Sequence, residues 1–288
     1  MQQEIRFATF NAFNLAPPGI RCYDNLEPCT PEEYEAKLDW TAQQLDLLNA
    51  DVIGFQEIFS QACLREVLAR TRRYREAVHL GFDPDPEAPR LTPSVALVSR
   101  LPLAGEGRAL ALFPESVTMP PGSRDPDRFT RAPLHAEVEL APGIVVDVVV
   151  VHLKSRRPDY RNGDTFDDAQ LYAMACLRSL VRRGTEAVGL RVFLSAMARA
   201  NKRPRVVLGD FNDVADSVTT AIVQGVGAPL GDRLFDAYDL QRPRTGCAMW
   251  ASAACTRAAT APSTTSWYRR SSTARCPTPS ARWSRSAT

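Results

Sequence analysis

Histidine is scarce in this 288-residue chain and stops early: His79, His135 and His152 are the only three. They lie too far apart to suggest a zinc cluster, which needs several nitrogen or sulfur ligands at close spacing. The seven cysteines, at 22, 29, 63, 176, 247, 255 and 276, form no CxxC pair. An odd, scattered set with no export-like segment at the start predicts reduced thiols and a cytoplasmic setting. Long apolar runs are also absent. The longest, Ile144 to Val151, is broken by Asp147 and falls far short of the ~18 residues a membrane span needs.

The largest deficit is at the C-terminal end. Residues 245–288 contain no Leu, Ile, Val, Phe, Asp, Glu or Lys, yet hold three of the four tryptophans. Such a segment cannot supply strands for a core, and its Ala/Ser/Thr/Arg/Pro content predicts a basic, disordered tail. It also distorts the overall charge. The formal net charge is +2, but the first 240 residues carry 27 basic against 33 acidic groups, while eight arginines and no acids follow. A body of net −6 is poorly suited to avid, sequence-independent duplex binding. The expected organisation is one domain over 1–244 and an aberrant tail over 245–288.

What is present is a set of apolar strands that end in polar residues. Ile5 to Phe10 leads to Asn11 and Asn14. Asp51-Val-Ile-Gly-Phe closes on Gln56 and Glu57, Ile144 to Val151 delivers His152 and Lys154, and Val206-Val-Leu-Gly delivers Asp210 and Asn212. Residues two apart on an extended segment point to one side, so Asp210 and Asn212 leave their strand together. Helices are expected from Thr30, which precedes Pro31 and two glutamates, over about 60–70, over 167–183, and in a further segment ending near Ala200. Strands separated by helices and flanked by hairpins favour a layered α/β sandwich.

Phosphate-ester hydrolysis needs a hard cation, an activated water and neutralisation of the leaving oxygen. Magnesium is satisfied by one or two carboxylates plus water. Glu57 is such a carboxylate, Asp210 can orient water, and the amides and His152 can meet phosphoryl oxygens. Lys154 and Arg156 suit a solvated face as well as a substrate contact. Arg131 and His135 read as supports for the fold.

The motifs FNAFN (10–14), DVIGFQE (51–57), VALVSRLP (95–102), VVVHLKS (149–155) and VLGDFND (207–213) occur in the order, and near the spacing, of the endonuclease/exonuclease/phosphatase superfamily. The resemblance covers about residues 4–240. It implies a four-layered α/β/β/α sandwich of two mixed sheets, with the C-terminal strands missing from this sequence. By position, Glu57 resembles the main magnesium ligand and Asn11 the asparagine that supports the metal site. Asp210 resembles the residue that positions or deprotonates water, Asn212 its phosphate-binding partner, and His152 the histidine at the scissile phosphate. Asn14 and Lys154 fall in motifs whose roles vary, and are assigned to substrate binding. The implied cofactor is Mg2+, with Mn2+ as a substitute. The implied substrate is a phosphate ester of a nucleic acid, phospholipid head group or inositol phosphate.

Two elements of the family pattern are missing. One is a late Asp in an aliphatic strand; the other is a closing Ser-Asp-His. Reading the codons of Ala261 to Tyr268 one base out of frame gives a pattern compatible with Ala-Leu-Asp-His-Ile-Leu-Val, the missing strand. A one-base frame error near 241–250 therefore accounts for the tail, and predicts a phosphoesterase ancestor and an impaired chain. A non-catalytic binding or scaffold protein that keeps the fold is the rival reading, and a nucleic-acid module driven by the arginine tail is a weaker one.

Overall fold

The computed structural model describes residues 4–23, 25–84, 91–161 and 164–240, and the backbone of 254–255. Among the described residues, ten strands form two mixed sheets. The first joins β1 (Phe7–Leu15), β2 (Val52–Ile58), β3 (Val78–Gly81) and β4 (Ser94–Ser99) in the order β1-β2-β4-β3. The second joins β5 (Arg108–Ala109), β6 (Leu134–Ala141), β7 (Ile144–His152), β8 (Arg205–Asp210), β9 (Phe235–Asp236) and β10 (Ala254–Cys255) in the order β5-β6-β7-β8-β10-β9. β1 runs parallel to β2, and β7 parallel to β8; hairpin-type antiparallel pairs flank both.

Side-chain alternation along the strands sorts the core into three clusters, and these define four layers. Val52, Leu97, Val148, Val150 and Leu208 pack between the sheets. Ile53, Phe55, Ala96 and Val98 face the other way, against α1 (Pro31–Leu48) and α2 (Gln61–Arg70). Val149, Val151 and Val207 face α3 (Ala169–Ala200) and α4 (Val218–Gln224). The result is an α/β/β/α sandwich, and it explains why β7 is apolar on both faces. Gly54 marks a close approach of the sheets: a Cβ there would stand 2.9 Å from Leu208 Cβ.

Local signals account for most boundaries. Thr30 caps α1 with a full capping box, accepting from Glu33 N while the Glu33 side chain accepts from Thr30 N. Tyr34, Leu38, Ala42 and Leu45 form its buried stripe. Gly143, at φ +75°, turns β6 into β7. Two expectations change. The pair of helices over 167–200 is one helix, α3, capped by Asp168 and running through Gly184, where one glycine costs only about 1 kcal/mol against a long packed face. In the segment expected to hold no strand, Ala254–Cys255 pairs between β8 and β9. The rest of the 245–288 reading lies outside the described residues. Among the described residues no helix is long and apolar enough to cross a membrane.

Candidate active site

Parallel pairing brings the polar ends of β1, β2, β7 and β8 to one end of the sandwich, with Asn11 opposite Gln56 and His152 opposite Asp210. Irregular backbone then aims the side chains. Between the pairs Asn11/Gln56 and Leu15/Ile58, three residues of β1 oppose one of β2. On the other edge of β2, Gln56 and Glu57 oppose Val95 alone. Phe13, Asn14, Glu57 and Asn212 all have positive φ, between +50° and +61°. Left-handed backbone is ordinary for asparagine and rare for phenylalanine or glutamate, at about 1–3 kcal/mol each, and such outliers gather at functional sites. Gly209, at φ +149°, precedes Asp210; a Cβ there would fall 2.0 Å from the Val151 carbonyl oxygen.

The bulges bring Glu57 and Asp210, from different sheets, onto one amide. Asn11 Nδ2 donates to Glu57 Oε1 at 2.9 Å and to Asp210 Oδ2 at 3.4 Å. Asn11 Oδ1 accepts from Phe13 N, which fixes the orientation of the amide. The second Glu57 oxygen accepts from Asn14 N at 3.0 Å. Asn14 Oδ1 is buried and has no hydrogen-bond partner among the described residues. Asp210 Oδ1 accepts from Asn212 N at 2.8 Å, while Asn212 Nδ2 donates to the Leu153 carbonyl at 2.9 Å.

His152 is buried, with Nε2 3.9 Å from Asp210 Oδ2, too far for a hydrogen bond. Burial, and then the charge of Arg131, hold its pKa well below the usual 6.5, so the imidazole is neutral. Burial raises the Asp210 carboxyl above 3.8, opposed by its bond from Asn212 N, by Arg131 and by Asn11. A carboxylate moved toward neutral pH is a better proton acceptor.

Two members of the site were not singled out from sequence. Arg131, read there as a support for the fold, donates through Nη1 to the Leu153 carbonyl at 3.2 Å, and its charge acts on Asp210, His152 and Lys154. Tyr23 is raised in pKa by burial, an effect that the nearby charge of Arg131 opposes, and it packs edge-on against Phe59 at 5.8 Å. The FTRAPL context of Arg131 is the only signal in the sequence. His135, by contrast, pairs with buried Asp147 at 2.8 Å and does support the fold. Lys154 is not brought onto the carboxylates. Its ammonium donates to the carbonyls of Ser155 and Arg157 and to Ser179 Oγ. Arg156 is held by Asp213, the last residue of VLGDFND, which also binds Arg183 at 3.0 Å and the hydroxyl of Thr219.

No group of three or more His, Cys, Asp or Glu side chains poised to hold a metal occurs among the described residues. A hard cation that keeps its waters does not need one. Two carboxylates converging on one amide, with the Asn14 Oδ1 left unpartnered nearby in the chain, form an all-oxygen set of the kind a hard divalent cation takes.

A family model described as "Endonuclease/Exonuclease/phosphatase family" matches residues 8–283, a span that passes the compositional change near 244. Among solved structures, the chain is similar to a β-hairpin deletion mutant of beta toxin from Staphylococcus aureus, at 13% identity over 77% of this chain and 74% of that one (TM-score 0.49). It is similar to sphingomyelinase C from Streptomyces griseocarneus at 16% identity, over 80% and 72% of the two chains (TM-score 0.47). A mannosyl-6-phosphatase from Bacteroides thetaiotaomicron aligns at 11% identity, over 78% and 71% (TM-score 0.44). No curated protein sequence matches the chain.

Proposed function

The chain belongs to the endonuclease/exonuclease/phosphatase family, and from that premise we propose that this site is that of a magnesium-dependent phosphoesterase whose turnover is impaired in this chain. The observation that carries the reading is the Asn11 amide, which gathers Glu57 and Asp210 from two sheets into one acidic, hydrogen-bonded centre.

Each residue has a defined task in this reading. Glu57 holds the cation, with Asn11 fixing the carboxylate. When bound, magnesium supplies Lewis-acid neutralisation of the phosphoryl oxygens. Asp210 orients the attacking water and takes its proton as the new P–O bond forms. Asn212 and Arg131 face the phosphoryl oxygens, and the neutral His152 donates a hydrogen bond to the same group. Cleavage of the ester P–O bond then leaves an oxygen that must be neutralised or protonated. The family places a late Asp-His pair there, and this sequence has no histidine after His152. Loss of a general acid of this kind lowers turnover by ~10²–10⁴-fold while leaving binding groups in place. The frame error inferred for the tail accounts for that loss, with residues 1–244 as the family domain.

The test is a substrate panel with magnesium: plasmid and single-stranded DNA, RNA, inositol phosphates and sphingomyelin. The chain is run beside a frame-restored version and the Glu57→Gln variant of each. Restored activity that Glu57→Gln abolishes is the expected result. Equal activity of chain and restored version overturns the impairment. A biological role that survives Glu57→Gln favours the rival, a non-catalytic binding protein.

A further inference from the structure

Glu186, on α3, is 1% exposed, and each of its carboxylate oxygens accepts one backbone N–H. Oε1 accepts from Thr130 and Oε2 from Lys154, both at 2.8 Å. Thr130 directly precedes Arg131, and Lys154 follows the strand end that carries His152. The Lys154 N–H belongs to the same peptide group as the Leu153 carbonyl. That carbonyl accepts from both Arg131 Nη1 (3.2 Å) and Asn212 Nδ2 (2.9 Å). A continuous path of hydrogen bonds thus runs from the Glu186 carboxylate, across one peptide unit, to Arg131 and Asn212, the two donors that the proposed function assigns to the phosphoryl group.

Linked hydrogen bonds polarise one another. A carboxylate on the N–H side increases electron density on the carbonyl oxygen and tightens its hold on Arg131 and Asn212. The Glu186–Thr130 bond fixes the backbone of Arg131 as well. Arg182 lies 3.4 Å from Glu186 and donates to the Pro126 carbonyl and Thr130 Oγ1, bracing the same loop. Glu186 also satisfies two backbone N–H groups, so its contribution to stability has to be separated from its effect on phosphate.

We propose that Glu186 is a positioning residue for phosphate recognition, acting through Arg131 and Asn212; this rests on the phosphoesterase reading of the site. Glu186→Gln tests it closely. The side chain keeps its size, but its NH2 group must face one of the two N–H donors.

The experiment measures binding of inorganic phosphate to the full chain in the presence of magnesium, by calorimetry, with thermal unfolding as a check on folding. Glu186→Gln is expected to weaken phosphate by roughly tenfold, comparable to one charge-assisted hydrogen bond. In an Arg131→Ala background the same change should have a clearly smaller effect, because only the route through Asn212 remains. Losses that simply add in the double variant, or equal affinity of Glu186→Gln and the parent chain, overturn the positioning role alone. Absence of any phosphate binding by the parent chain overturns the phosphoesterase reading and the inference with it. If the Gln variant does not fold, the cycle is run with Glu186→Asp, which keeps the charge and reaches only one of the two N–H groups.

Discussion

The ammonium of Lys37, on α1, donates to the carbonyl oxygen of Asn14 at 3.1 Å and also to that of Phe13. These two residues have φ of +60° and +50° and form the bulge that presents Asn14 N to Glu57. A helix on the outer face of the first sheet therefore pins the strained turn beneath the proposed cation ligand. Burial lowers the Lys37 pKa, a sign that the charge is held there at a cost.

Replacing Lys37 by Met keeps the apolar stem and removes every donor. Two carbonyls then lose their partner at a place where the backbone already stores strain. The expected loss is about 1–3 kcal/mol in urea unfolding, together with weaker magnesium binding. Unchanged unfolding and unchanged magnesium affinity would show that the bulge holds itself.

The Asp210 carboxyl predicts a stability effect of the opposite sign. Its folded pKa is raised above the usual 3.8, first by burial. The folded protein therefore holds this proton more tightly than the unfolded chain does. Stability is lost as pH rises from 3.8 through the folded value, and the loss is complete above it. Asp210→Asn, measured in EDTA, should be more stable than the parent at pH 7, with the gain vanishing below the ordinary carboxylate range. An Asn variant that is less stable at pH 7 contradicts this assignment.

Asp213 behaves in the reverse way. Burial alone would push its carboxyl up, but bonds from Thr219, Arg156 and Val214 N and the charge of Arg183 hold it at about 2. This stabilisation is present above 3.8 and is lost as pH falls through about 2. It is worth about 2 kcal/mol. Asp213→Asn should cost at least that much at pH 7, and the difference from the parent should shrink as pH falls toward 2. A difference that stays constant with pH would place the effect in packing and not in charge.

These groups were not equally legible in the sequence. Asn11, Glu57, His152 and Asp210 could be read because each ends an apolar strand, and strand ends announce themselves through a change of residue type. The helix start at Thr30 was equally plain. Arg131, Tyr23, Lys37 and Glu186 were not, because each acts through a contact distant in sequence that no local pattern encodes. Lys154 sits in a suggestive motif, yet local carbonyls and Ser179 take its ammonium. Two helices were expected over 167–200, because the packing that keeps α3 continuous is not encoded in any local pattern.

Two glycines should respond oppositely to alanine. Gly209 in VLGDFND has φ +149°, and its added Cβ would overlap the Val151 carbonyl oxygen at 2.0 Å. Both the backbone region and the contact exclude a side chain, so Gly209→Ala must shift β8 against β7 and displace Asp210. A loss of about 3 kcal/mol or more is expected, with weaker magnesium binding. Gly184 is helical, and nothing lies within 4 Å of its added Cβ. Gly184→Ala should therefore stabilise the chain by about 0.4–1 kcal/mol, through a less flexible unfolded state and better helix propensity. Urea unfolding of the two variants beside the parent decides both claims. A tolerated Gly209→Ala would mean that the strand end can relax without moving its aspartate, and a destabilising Gly184→Ala would mean that α3 needs its glycine for a contact this geometry does not contain.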